Sequence, residues 1–184
     1  MSDIWSREDI LSPLRRKLVG YWSVRAQTWK IEDGKIECGF STSFCTIGIE
    51  DIGRKLIMHF QIRHSDVFRD QELDVTSITL GYQTTPTQLV YFHNTELALK
   101  SPVGEGADQV TSLKFPFLGV LNISVRNDQV NRMEGYWYDV DNSIYNLARR
   151  IPNLNGLHDL MEAVQKGTVT FKGLLEFDRL PPPA

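Results

Sequence analysis

The sequence predicts a mainly β protein, an eight-stranded antiparallel up-and-down barrel with a short N-terminal helix and a helical insert before the last strand. Three observations predict it. Period-two alternation of apolar and polar residues dominates the chain. Turn signals separate the alternating runs at short intervals. Glycines fall inside the runs, at Gly20, Gly39, Gly48, Gly81, Gly119, Gly135 and Gly173. They would weaken a flat open sheet, but they permit the bending that a small closed barrel needs. Closure also removes exposed strand edges.

The elements follow in order. Residues 6–17 read as a short helix, with Ser6 and Asp9 resembling a capping box and Pro13 disturbing its middle. From Leu18, the residues Leu18, Gly20, Trp22, Val24 and Ala26 share one apolar face. Asp33-Gly34 is a hairpin signal, followed by a strand over 37–49. Asp51-Ile52-Gly53 makes the next turn, and 55–63 alternates Leu56, Met58, Phe60 and Ile62 against polar residues. Further strands are predicted over 73–83, 88–96, 117–125, 131–140 and 167–179. The stretch 101–114 reads as a flexible loop and 143–166 as helical, with Leu157, Leu160, Met161 and Val164 at helical spacing. Domain organisation is therefore an N-terminal helical segment (1–17), one barrel domain (18–180) containing the insert 143–166, and a tail (181–184).

Composition narrows the function. The chain has 184 residues, 23% of them charged, with a net charge of −3, which disfavours a basic face for duplex nucleic acid. No apolar run is long enough for a membrane-spanning helix, and the first residues lack the apolar core of a signal peptide. A cytoplasmic location is expected. Cys38 and Cys45 are seven apart, so on one strand they face opposite sides and are expected to be free thiols. The four histidines, His59, His64, His93 and His158, show no metal-ligand spacing, and no nucleotide-binding or nucleophile motif occurs. No cofactor and no catalytic residue are assigned.

The tripeptide Gly-Tyr-Trp occurs at 20–22 and again at 135–137. In each, Gly and Trp share a face, so Trp22 and Trp137 are expected inside the barrel beside a bend, with Tyr21 and Tyr136 outside. Either indole packs in the core or stacks on a ligand. A short helix leading to Gly20-x-Trp22, with Arg179 at the end of the last strand, resembles the lipocalin and calycin group. The resemblance implies a lipocalin-like barrel in which Arg179 packs across Trp22. "LVYFHNTE" (89–96) and the closing "MEGYWYD…GTVTFKGLLEFDRL" resemble the β-barrel sensor domain of bacterial antiphage effectors that respond to cyclic oligonucleotides. The transmembrane segments of those effectors have no counterpart here. This resemblance implies a sensor that binds a cyclic nucleotide in antiviral defence.

An eight-stranded barrel can hold one small ligand. A lining of aromatic and hydroxyl residues suits a planar ligand with polar edges. Phe40, Thr42, Phe44 and Thr46 are read as one face of strand two, and Leu73, Val75, Ser77 and Thr79 as one face of strand four. The expected ligand contacts are Trp22, Tyr91 and Trp137 by stacking and Thr42, Thr79 and His93 by polar contact, with Arg179 at the mouth or structural. The alternatives are an interaction module that docks a protein partner or a second copy through the helical insert, and an enzyme on a calycin scaffold.

Overall fold

The computed structural model describes residues 13–32, 35–49, 56–65, 75–100, 110–139 and 170–183. A short helix, α1 (13–18), leads into eight strands. They are β1 (Gly20–Glu32), β2 (Lys35–Ile49), β3 (Leu56–Ser65), β4 (Val75–Thr85), β5 (Gln88–Lys100), β6 (Val110–Arg126), β7 (Gln129–Asp139) and β8 (Thr170–Leu180). Each strand pairs antiparallel with the next, and β8 returns to β1 to close the barrel. The closed antiparallel barrel of eight strands is therefore as the sequence predicts. The predicted helical insert 143–166, and residues 6–12 of the predicted N-terminal helix, lie outside the described residues.

Strand limits differ by a few residues at most ends and most at β6. The stretch 110–114, read as loop, is the start of β6, and it ladders with the end of β5 up to Lys100↔Val110. Its alternation of Thr111, Leu113 and Phe115 with Ser112, Lys114 and Pro116 is a strand pattern. The glycines of "VGEGADQ" and the internal proline obscure it. The turn signals at 33–34 and 51–53 lie outside the described residues. Asn127 and Asp128 both adopt positive φ, 50° and 63°, as the two central residues of a tight hairpin turn do between Arg126 and Gln129.

The core lies within the barrel, on one face of every strand. Trp22, Val24, Cys45, Ile47, Leu56, Met58, Phe60, Leu89, Tyr91, Leu121, Met133, Leu175 and Phe177 form one buried cluster. At the end where α1 enters, Leu18 and Trp22 are fully buried and Arg15 nearly so. The outer side differs around the circumference. On β7, β8 and β1 it carries Arg132, which bonds Glu176 at 2.9 Å and pairs with Glu134 and Asp178, while Arg25 lies 3.9 Å from Glu176. On β2, β3 and β4 the described outward positions carry no Asp, Glu, Lys or Arg.

Geometry excludes a side chain at several described glycines, Gly20 and Gly135 among them. Gly20 has φ +141°, and a Cβ there would sit 2.7 Å from Nη1 of Arg179. Gly135 lies so close to the carbonyl of Val120 on β6 that a side chain has no space between the strands. Gly48, by contrast, has nothing within 4 Å of its Cβ position. Gly20→Ala and Gly135→Ala are each expected to destabilise by roughly 2 kcal/mol or more. Gly48→Ala should be neutral or stabilising by about 0.5–1 kcal/mol. Urea unfolding of the three variants checks the contrast.

Candidate functional site

The two ends of the barrel are built differently. At the α1 end, the Arg179 guanidinium lies over the Trp22 ring, 4.4 Å from its centroid. Its Nε donates to the carbonyl of Val130 at 2.6 Å, Nη1 to that of Val19 at 2.9 Å, and Nη2 to that of Lys17. The Trp22 indole N–H donates to the carbonyl of Leu18 at 3.0 Å. Desolvation lowers the pKa of Arg179 somewhat from its ordinary value, and the carbonyls and the ring compensate for lost water. Lys17 pairs with Asp128, fastening α1 to the β6–β7 turn. This end is sealed.

Above it the interior is filled by aromatic rings. Tyr91 stacks on Phe60 at 5.4 Å and meets Phe177 edge-on at 6.1 Å. Burial pushes the Tyr91 hydroxyl well above its ordinary pKa, with a smaller contribution from Cys45, whose thiol is itself pushed up by burial.

The opposite end begins where two ladders stop. The β1–β8 ladder ends at Ala26↔Leu175, although β1 continues to Glu32 and β8 begins at Thr170. The β4–β5 ladder ends at Gly81↔Tyr91, although β4 begins at Val75 and β5 continues to Lys100. Past these points β1–β4 remain laddered to one another, and so do β5–β8. Beyond these rungs the described residues carry no ladder pairing across β8/β1 or β4/β5, so the four-stranded halves β1–β4 and β5–β8 meet at these two seams through other contacts. One side chain crosses each seam just beyond its last rung. The Thr79 hydroxyl donates to the carbonyl of Phe92 across β4/β5, and the Trp137 indole N–H donates to the carbonyl of Gln27 at 2.7 Å across β8/β1.

Between the seams lies a rung that faces inward and is only half-buried. Ala26, Ser43, Ile62, Phe117 and Trp137 belong to it, whereas the inward residues beneath are buried. Phe117 and Trp137 meet edge-to-face at 5.6 Å. Ser77 and Thr79 add hydroxyls at 7% and 8% exposure. No described side chain on this rung is charged.

The seven residues singled out in the sequence thus separate. Trp22 and Arg179 come together at the sealed end, as the Gly-x-Trp and Arg pattern implies, and Trp22 at 0% exposure offers a ligand no face. Tyr91 is in the filled centre. Thr79 and Trp137 are the two seam ties. His93 pairs in register with Phe117, and its side chain lies outside the described residues. Thr42 is a correction: it is exposed on the outer surface, as are Phe44 and Thr46, while Cys45 and Ile47 point inward. Strand two is apolar on both faces, and a shift of one residue exchanges them. Cys38 is exposed and Cys45 buried, both as free thiols on opposite faces. Phe117 was missed because the residues before it read as loop, which left its strand face unassigned.

Among the described residues no group of three or more His, Cys, Asp or Glu could hold a metal ion, and no helix is long and apolar enough to cross a membrane. Comparison with family models, curated proteins and solved structures returned no match.

The buried thiol and phenol set an alkaline limit. The folded chain keeps both protons at a pH where the unfolded chain loses them, so above the ordinary values of 9.0 and 10.0 the native state binds more protons. Stability is then full below pH 9 and falls as pH rises, by about 1.4 kcal/mol per pH unit for each group. Urea midpoints measured between pH 8 and 11 should show the decline, with Tyr91→Phe removing the part that begins near 10 and Cys45→Ala the part that begins near 9.

Proposed function

We propose that the protein binds a small organic ligand in the barrel end opposite α1, between its two half-sheets, without catalysis. The observation that carries this reading is the half-buried aromatic rung beyond the last β1–β8 and β4–β5 pairs, at the end away from the Trp22–Arg179 seal. A barrel used only as a scaffold gains nothing from inward aromatic surface left half-covered, whereas a pocket needs it. The sealed end also agrees with the lipocalin and calycin resemblance.

The chemistry of the rung constrains the ligand. Phe117 and Trp137 offer ring faces and edges, and Ser43 and Ser77 offer hydroxyls. The Trp137 N–H and the Thr79 hydroxyl are already donated to backbone carbonyls. The described cations that enter the barrel end, Arg15 and Arg179, both lie at the far end, Arg179 with its donors in use. An anionic group would find no counter-charge among the described side chains of this rung. A ligand therefore enters with an uncharged, planar or apolar part leading. A cyclic oligonucleotide, the ligand implied by the sensor-domain resemblance, would enter base-first with its phosphates toward the mouth, and a role in antiphage signalling rests on that candidate.

Thermal shift against cyclic di- and trinucleotides, fatty acids, haem and neutral polycyclic aromatics tests the reading. At a hundred times Kd a ligand stabilises by about 2.7 kcal/mol, or roughly 5–10 °C for a chain of this size. Trp137→Ala is expected to weaken binding at least tenfold, and Phe44→Ala, on the outer surface, to leave it unchanged. No shift with any class, or equal binding by the Trp137→Ala variant, would remove the proposal.

A further inference from the structure

Among the described residues, the buried polar side chains are Arg15, Ser77, Thr79 and Gln83. Two of them, Arg15 and Gln83, belong to the sealed end. Arg15 precedes the fully buried Leu18 by three residues, one turn of α1, so it turns to the interior as Leu18 does, and it is 4% exposed. Gln83 lies near the end of β4, which like the other even-numbered strands finishes at the α1 end. It is 6% exposed and stands in register with Leu89, a core residue. In a circle of eight strands β4 is four strands from β8, so Gln83 is across the barrel from Arg179.

The Gln83 amide is only half used. Its nitrogen donates to the carbonyl of Pro86, in the β4–β5 turn, at 3.5 Å. Its oxygen, Oε1, is covered and accepts from no group among the described residues. Turning the amide over does not help, because Oε1 would then face the Pro86 carbonyl, oxygen against oxygen. Covered amide oxygens in folded proteins find a donor, and where no protein N–H or O–H reaches them an internal water does.

We propose that the sealed end holds one internal water between Gln83 and Arg15, donating to Gln83 Oε1 and accepting from the Arg15 guanidinium. The two groups select the occupant. Oε1 only accepts, so the occupant is a donor, which excludes chloride and phosphate. The guanidinium excludes a metal or ammonium ion. A neutral molecule that both donates and accepts, small enough to lie beneath α1 among Leu18, Trp22 and Leu89, is water. It ties α1 to β4 as Arg179 ties α1 to β8, and the helix is held from both sides of the barrel.

A crystal structure of the full-length wild-type chain, at a resolution that shows ordered water, tests this. Density for a water is expected within hydrogen-bond distance of both Gln83 Oε1 and an Arg15 guanidinium nitrogen. In solution, water should cross-relax with the Gln83 side-chain amide and the Arg15 Nε–H protons with the sign of a long-lived bound water. Gln83→Met should reduce the Arg15 signal several-fold, with the Trp22 indole resonance still dispersed as a sign of folding. A protein group donating directly to Oε1 with no water density would overturn the proposal. So would cross-relaxation of the sign that fast surface water gives, or a bound water at Arg15 that Gln83→Met leaves unchanged. If Gln83→Met does not fold, the wild-type structure decides by itself.

Discussion

The closed barrel depends on the Arg179 guanidinium held against the Trp22 indole. Closure joins the last strand to the first, and the β1–β8 ladder is short, running only from Tyr21↔Leu180 to Ala26↔Leu175. Arg179 reinforces that seam from its end. One planar cation takes carbonyls from β7 (Val130), from the link into β1 (Val19) and from α1 (Lys17) while covering the ring. The indole in turn holds the carbonyl of Leu18 at the end of the helix. Lysine could not replace it, having neither the planar fork nor the stacking face. Gly20 is part of the same arrangement, since its positive φ and missing side chain make room for Nη1.

The second Gly-Tyr-Trp uses the same three residues differently. Gly135 admits the backbone of β6, Tyr136 points outward, and Trp137 reaches the carbonyl of Gln27 where the β1–β8 ladder has ended. One tryptophan seals and is fully covered. The other bridges a seam and keeps part of its surface open. That difference in burial, with the same motif in both places, is why we assign binding to the Trp137 end and structure to the Trp22 end.

Much of the architecture was legible because the barrel repeats one rule, period-two alternation broken by turn residues. The Trp22–Arg179 contact was legible from parity and from a resemblance. The inner face of β2 was not read correctly, although the signal was present. Reading Asp33-Gly34 as a two-residue hairpin signal puts Glu32 opposite Lys35 and so Trp22 opposite Cys45, the register observed, with Cys45 and Ile47 inside. Two phenylalanines on the outer face outweighed that register argument. Phe40 lies under the Arg25 guanidinium, 3.7 Å from its ring, and so gains a partner without entering the core. The seams were not legible at all. Where a ladder stops depends on how strands diverge in space, and neither Thr79 nor Trp137 marks that point in the sequence.

The central claim is that one end of the barrel is sealed and the other receives a ligand. Indole N–H resonances report on both ends in a single spectrum. Adding a neutral aromatic probe or a cyclic nucleotide to the assigned protein should shift the Trp137 indole and the Phe117 ring signals in a saturable way, while the Trp22 indole stays fixed. A saturable shift at Trp22 with none at Trp137 would contradict the account, because it would place the ligand at the end that Arg179 closes.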